Sequence, residues 1–334
     1  MNEAPVSGRW RDLLAGRVAE ATRILGAIRG VDGLIVGGSV GRGEAWPMSD
    51  IDILPIYAKA APERADAEGA VGRQHAELID WWAASGRAQT LDVGWLAFSA
   101  DEVARAHGSP ASWLAAKMGD RRWFHGIDKA SGGYGGGAES SQAQQFVEWA
   151  TAMRFAPEVI AARVAFWRQQ ARDHHAAGQA SLGEGDHGKA TLAVWECARA
   201  VRLVLIEGWG QRLSSMGREW TRFERMAEQH DARDLATRIA ALADADPGSV
   251  AQVVPLTPLW LQERIDLALA ARRAIDEEVS AEENARDQIA AFRLHVLRGR
   301  PDLGGEWLGL PAFDLTERFA ELRQLLNDHC QLPH

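Results

Sequence analysis

The sequence predicts an α/β unit, a mixed sheet flanked by helices, followed by an all-α helical bundle. Three observations carry that prediction. Before residues 131–141, short apolar runs of strand type alternate with amphipathic stretches. After them, nearly every segment repeats its apolar residues at helical spacing. Between the two regimes lies Ser131-Gly-Gly-Tyr-Gly-Gly-Gly137, the segment richest in glycine, which reads as a linker. The expected domains are 1–138 and 139–334.

The first expected helix spans Gly8 to Ile28, with Leu13, Val18, Ala21, Ile24, Leu25 and Ile28 on one face. Gly33 to Val36 and Ile51 to Tyr57 read as buried strands. Pro62 to Ala84 is long enough for a crossover helix, and Pro62 suits its first turn. Thr90 to Phe98 is the third expected strand, and Ser99-Ala-Asp-Glu102 carries the capping-box pattern that opens a helix. In the second part, helices are expected at about 140–177, 187–208, 217–229, 231–244, 256–278, 280–298 and 313–328, which together make a bundle.

Composition narrows the function. Two cysteines, Cys197 and Cys330, are too few for a disulfide framework or a four-ligand zinc site, and a reducing, cytoplasmic setting is expected. Met1 to Arg29 shows no signal-peptide pattern, and no apolar run approaches the roughly 20 residues of a membrane span. The net charge is −9, with 15 basic and 17 acidic residues up to Ala138 and 22 and 29 beyond it. The acidic excess of the second part argues against nucleic acid as partner, since phosphate contacts dominate such binding. A small or cationic substrate suits that charge better. Fourteen tryptophans against two tyrosines read as core and interface anchors.

Chemistry concentrates in Gly33-Leu-Ile-Val-Gly-Gly-Ser-Val-Gly-Arg-Gly-Glu-Ala-Trp-Pro-Met-Ser-Asp-Ile-Asp-Ile-Leu54. An apolar strand runs into Gly37-Gly38-Ser39, where missing side chains let the backbone approach phosphate oxygens. Asp50 and Asp52 follow. At i and i+2 of a strand they project to one side, their Cα atoms roughly 6–7 Å apart. Two unpaired carboxylates at that spacing repel, and a divalent cation resolves the repulsion; Mg²⁺ is typically held by one or two carboxylates with substrate phosphates. The pattern points to metal-assisted phosphoryl or nucleotidyl chemistry. Neither a Walker A sequence nor a dinucleotide glycine fingerprint is present, so P-loop kinases and nicotinamide enzymes drop out.

Gly38-Ser39, ten residues (Val40 to Ser49) and Asp50-Ile51-Asp52 resemble the signature of the nucleotidyltransferase superfamily of the DNA polymerase β type. The wording around it looks most like the small-molecule branch, the aminoglycoside nucleotidyltransferases, which also carry a helical C-terminal domain. The resemblance implies an enzyme that binds an NTP, ATP among the candidates, with two Mg²⁺ ions held by Asp50, Asp52 and a third acid. Asp92, in Leu91-Asp92-Val93 after the long helix, takes that third place. Gly38 and Ser39 would meet the triphosphate, and Arg42 would reach its β- and γ-phosphates; Trp46 reads as packing the loop, with stacking on the base or substrate as its alternative role.

In the helical part, the resemblance implies an acid that meets the acceptor, and Glu196 is the candidate; its alternative role is an ion pair with Arg199 at i and i+3. A basic residue from the loop after the central helix holds the triphosphate in the family, which points to Arg218, with Lys189 as the alternative. His174 and His175, adjacent on a helix, lack metal-ligand spacing and read as solvated. The leading expectation is NMP transfer to a hydroxyl of a small, aminoglycoside-like or natural-product acceptor. Alternatives are a toxin-type enzyme acting on a tRNA or protein, and a non-catalytic binding or antitoxin module; retention of three acids speaks against the last.

Overall fold

The computed structural model describes residues 9–58, 61–86, 89–136, 141–213, 217–299 and 314–330. The chain divides into two compact units, Met1–Ala162 and Arg163–His334.

The first unit is built from α1 (Trp10–Gly26), β1 (Val31–Gly37), α2 (Gly38–Gly41), β2 (Ile51–Tyr57), α3 (Ala61–Ala84), β3 (Leu91–Val93), β4 (Phe98–Ser99), α4 (Ala100–His107), α5 (Ala111–Ala115), α6 (Arg121–Ala130), β5 (Tyr134–Gly136) and α7 (Ser141–Arg154). The strands form one mixed sheet in the order β3-β2-β1-β5, with β4 also paired to β2. β1 runs antiparallel to β2 and β5, and β2 runs parallel to β3 and β4. β2 is buried along its whole length, as its run of Ile, Leu and Tyr requires. Trp10, Leu14, Val18, Ala21 and Leu25 form the buried stripe of α1 at helical spacing. Each large apolar side chain so buried contributes ~1.5–3 kcal/mol.

α6 was not legible as a helix, yet it is fixed firmly. The capping box at Ser99 forms, and Glu102 from that box also accepts from Arg122 of α6. Burial alone would raise the Glu102 carboxyl; the bonds from Arg122 and Ser99 outweigh it and hold it at about 2. Arg122 donates further to the Ala97 carbonyl at 2.9 Å. The first turn of α6 is thereby tied to the loop that leads into β4.

The glycine segment read as a linker is partly sheet. Tyr134–Gly136 is β5, an edge strand on β1, and Gly133 packs so close to the Val36 carbonyl that a Cβ there would lie 2.4 Å from its oxygen. Side chains of α7 secure the segment: Thr151 accepts from the Gly132 amide and Gln144 from the Gly135 amide. Composition changes at 138, a residue outside those described, whereas the compact unit runs on to Ala162. The reason is an aromatic cluster in which Phe146 of α7 lies 4.8 Å from Phe98 and Trp149 lies 6.0 Å from Trp113.

Helix α8 (Pro157–Gly183) is separate from α7, where one helix over 140–177 was expected. Pro157 disfavours helical backbone at the residue before it, so α7 stops at Arg154. The second unit continues with α9 (His187–Gly208), α10 (Glu219–Gln229), α11 (Arg233–Leu242), α12 (Pro247–Val253), α13 (Leu259–Arg273), α14 (Ala281–Gly299) and α15 (Leu315–His329). α9 is buried over most of its length. Asp287 anchors α10 by accepting from the Trp220 and Thr221 amides while it pairs with buried Arg272. His175, expected to be solvated, is buried with Nε2 donating to the Phe319 carbonyl at 3.3 Å; burial lowers its pKa.

Candidate active site

The sheet ladder assembles the acids. Asp52 lies opposite Gly37 on β1 and opposite Asp92 on β3, and Asp50 stands just before β2. Carboxylate oxygens of Asp50, Asp52 and Asp92 lie within 4.8 Å of one another. Asp52 is buried, and Asp50 and Asp92 are both half-buried. Gly38 adopts φ +60°, the left-handed region that glycine favours, and a Cβ on it would come 1.7 Å from Asp52 Oδ2. The glycine turn therefore makes room first for the aspartate carboxylate.

A fourth charged group completes the cluster. Lys129, in the last turn of α6, places Nζ 2.7 Å from Asp52 Oδ1 and 4.0 Å from Asp50 Oδ2. Its backbone carbonyl lies where a Cβ of Gly37 would be, at 2.5 Å, so α6 abuts the end of β1 directly. Burial pushes Asp52 up to about 6, with Asp50 and Asp92 adding to the rise and Lys129 opposing it. Asp92 is raised by burial and by Asp50, against Lys129 and His75. Burial alone would lower Lys129; the three acids outweigh it and hold its pKa above the ordinary value. Sequence reasoning missed Lys129 because the helix that carries it went unread. The one available signal was rarity: it is one of only four lysines in the chain.

The loop between α2 and β2 is pinned from within. Ser39 Oγ donates to Ser49 Oγ at 3.0 Å, and the same Ser49 oxygen accepts from the Trp46 amide. Trp46 is 2% exposed and anchors the loop, as expected of it. Gln89 donates to the Ser49 carbonyl, and His75 Nε2 donates to the Leu91 carbonyl beside Asp92. Arg42 is ion-paired with Glu44 at 3.1 Å.

The remaining expected residues belong to the helical unit. Glu196 is buried on α9, where Arg199 stacks over the Trp167 ring. Lys189 is exposed in the first turn of α9 and pairs with Asp186 at 2.9 Å. Arg218 is buried beside Glu277 at 3.1 Å, and burial pushes it down to about 10. A phosphate-binding role for Arg218 requires that this pair open.

The residues fit a divalent cation. Three carboxylates converge, and Asp52 Oδ2 is buried without a hydrogen-bond partner among the described residues, an orphan acceptor that a cation would satisfy. Residues 18–92 match the family model of the nucleotidyltransferase domain. The match supports the nucleotidyltransferase superfamily for this segment, which runs from within α1 to Asp92 and takes in Gly38, Ser39 and all three acids. It ends before Lys129. No curated protein and no solved structure matches the chain. Nucleotidyltransferase domain and aspartate triad together fit metal-dependent nucleotidyl transfer.

Proposed function

We propose that the chain is a Mg²⁺-dependent enzyme that transfers a nucleoside monophosphate from an NTP to a hydroxyl of a small molecule, aminoglycoside-like or another natural product, and releases pyrophosphate. The observation that carries the reading is the convergence of Asp50, Asp52 and Asp92 at a glycine turn. Bound there, Mg²⁺ would neutralise phosphate charge and lower the pKa of the attacking hydroxyl. Asp52, buried and fixed by the ladder to β1 and β3, sets the position of the cluster. Asp50, half-buried just before β2, meets the incoming triphosphate side. Asp92 is half-buried with a raised pKa, which suits it to accept the hydroxyl proton. The turn at Gly38-Ser39 orients the triphosphate, so catalysis is positional and electrostatic, with no covalent enzyme intermediate.

The helical region supplies the acceptor contacts in this reading, with Glu196 as the acid that attracts a cationic acceptor. Arg218 is the basic residue assigned to the triphosphate, with Lys189 as the alternative. The assignments of Glu196 and Arg218 rest on the family resemblance, and the acidic excess of the second part favours a cationic acceptor.

The test is a thermal-shift panel of ATP, GTP, CTP and UTP with and without Mg²⁺, followed by label transfer from the α-labelled form of whichever nucleotide binds. A nucleotide at a hundred times its Kd stabilises by about 2.7 kcal/mol, a readily measured rise in Tm. The reading expects that rise to need Mg²⁺ and the label to reach a small hydroxylated cation. Label that enters only a protein or an RNA would replace the small-molecule acceptor with a macromolecule. A chain that binds no nucleotide under any condition would be a non-catalytic module.

A further inference from the structure

Three carboxylates crowded together need a cation, and the chain brings one of its own. The Lys129 ammonium is in hydrogen-bond contact with Asp52 Oδ1 and near Asp50 Oδ2. It also feels the charge of Asp92. Its position is fixed by α6, which Arg122 and Glu102 tie at one end and the close approach to Gly37 sets at the other. The side chain itself is 30% exposed, so its four-carbon stem has a path outward. The lysine ammonium is a mobile point charge on a flexible stem. Asp52 Oδ2 is buried and left without a hydrogen-bond partner among the described residues.

An ammonium and a divalent cation cannot both sit against the same carboxylate oxygens, because like charges at contact distance repel strongly where water is scarce. We propose that Lys129 is the resident counter-ion of the metal-free acid cluster, and that a divalent cation enters by displacing it. The inference rests on the reading of the three acids as a metal site. It makes metal binding weak in the free protein and stronger once a triphosphate offers the released ammonium new acceptor oxygens. Lys129 is thus a positioning and gating residue, acting through Asp50 and Asp52.

Mn²⁺ titration followed by electron paramagnetic resonance tests this on the full chain as wild type, Lys129→Gln, Lys129→Arg and Asp50→Asn, each with and without an α,β-methylene NTP analogue. Without nucleotide, Lys129→Gln is expected to bind Mn²⁺ about tenfold more tightly than wild type, within the usual range of coupling between sites. Lys129→Arg, which keeps the charge, is expected to stay near wild type. Unchanged or weaker affinity in folded Lys129→Gln overturns the inference. A second readout needs no variant: the rate at which an amine-acylating reagent modifies Lys129 in wild type, followed by peptide mass spectrometry, is expected to rise several-fold on saturation with Mg²⁺. A rate indifferent to Mg²⁺ overturns the inference even if Lys129→Gln fails to fold. Mn²⁺ binding that Asp50→Asn abolishes but Lys129 does not affect defeats this inference alone. Wild type that binds no Mn²⁺ even with nucleotide defeats the metal site and the inference with it.

Discussion

Replacing Gly38 by alanine adds one methyl group at the most constrained point of the site. The backbone there has φ +60°, and an L-residue in that region costs about 1–2 kcal/mol. The larger effect is local. The new Cβ would stand 1.7 Å from Asp52 Oδ2, whereas a carbon and an oxygen in contact keep about 3.3 Å, so one of the two must retreat by about 1.5 Å. The main chain of Asp52 is held by its ladder partners Gly37 and Asp92, which leaves rotation of the carboxylate as the way out. That rotation pulls Asp52 from Lys129 and from its place among the acids. A displacement of about 1 Å in a catalytic group costs on the order of a hundredfold in rate. Gly38→Ala should therefore lose about a hundredfold in pyrophosphate release and most of its Mg²⁺-dependent nucleotide binding, while Tm falls by only a few degrees. A folded Gly38→Ala protein with wild-type turnover and an undiminished response to Mg²⁺ would refute the packing of the turn on Asp52.

Asp50→Asn and Asp52→Asn should each fold and lose at least about a hundredfold in turnover, since the amides keep the shape and lose the charge; near-normal turnover at saturating NTP and Mg²⁺ would contradict the assignment. The pH dependence has a definite sign. Asp52 is raised from 3.8 to about 6 on folding, so its stabilising contribution is complete below 3.8 and is lost as pH rises through about 6. Across that window it amounts to about 3 kcal/mol, and urea unfolding of metal-free protein should show wild type gaining on Asp52→Asn as pH falls from 7 to 5. Over the same range, binding of Mn²⁺ should weaken as the carboxylate takes its proton. Glu196→Gln should raise the acceptor KM with NTP affinity nearly unchanged; a loss of stability with unaltered kinetics would make Glu196 a structural acid of α9.

What the sequence revealed of the site is what a ladder and a turn encode locally. Alternation within a strand puts Asp50 and Asp52 on one side, and glycines before a short helix announce a tight turn. Asp92 was reachable through the family resemblance, which implies a third acid on a later strand, and the structure pairs that strand parallel to β2. Lys129 was not reachable by such rules, since its approach depends on where α6 packs, and that is decided by Arg122, Glu102 and the space beside Gly37. β5 escaped for a related reason: glycine is a poor strand former, and only the narrow gap beside Val36 makes it the residue that fits. The fold class was legible from periodicity. The extent of the first compact unit was not, because the rings of α7 that hold it come from beyond the change in composition.

In the proposed reading Asp50, Asp52 and Asp92 form the metal centre of a nucleotidyl transfer. Incubating the chain with acceptor and either α-labelled or γ-labelled NTP, with and without Mg²⁺, beside Asp52→Asn, decides that assignment. Only the α-label is expected to reach the acceptor, only with Mg²⁺ and only in wild type, while the γ-label leaves as pyrophosphate. Transfer of the γ-label, or α-label transfer that persists in Asp52→Asn, would contradict the assignment.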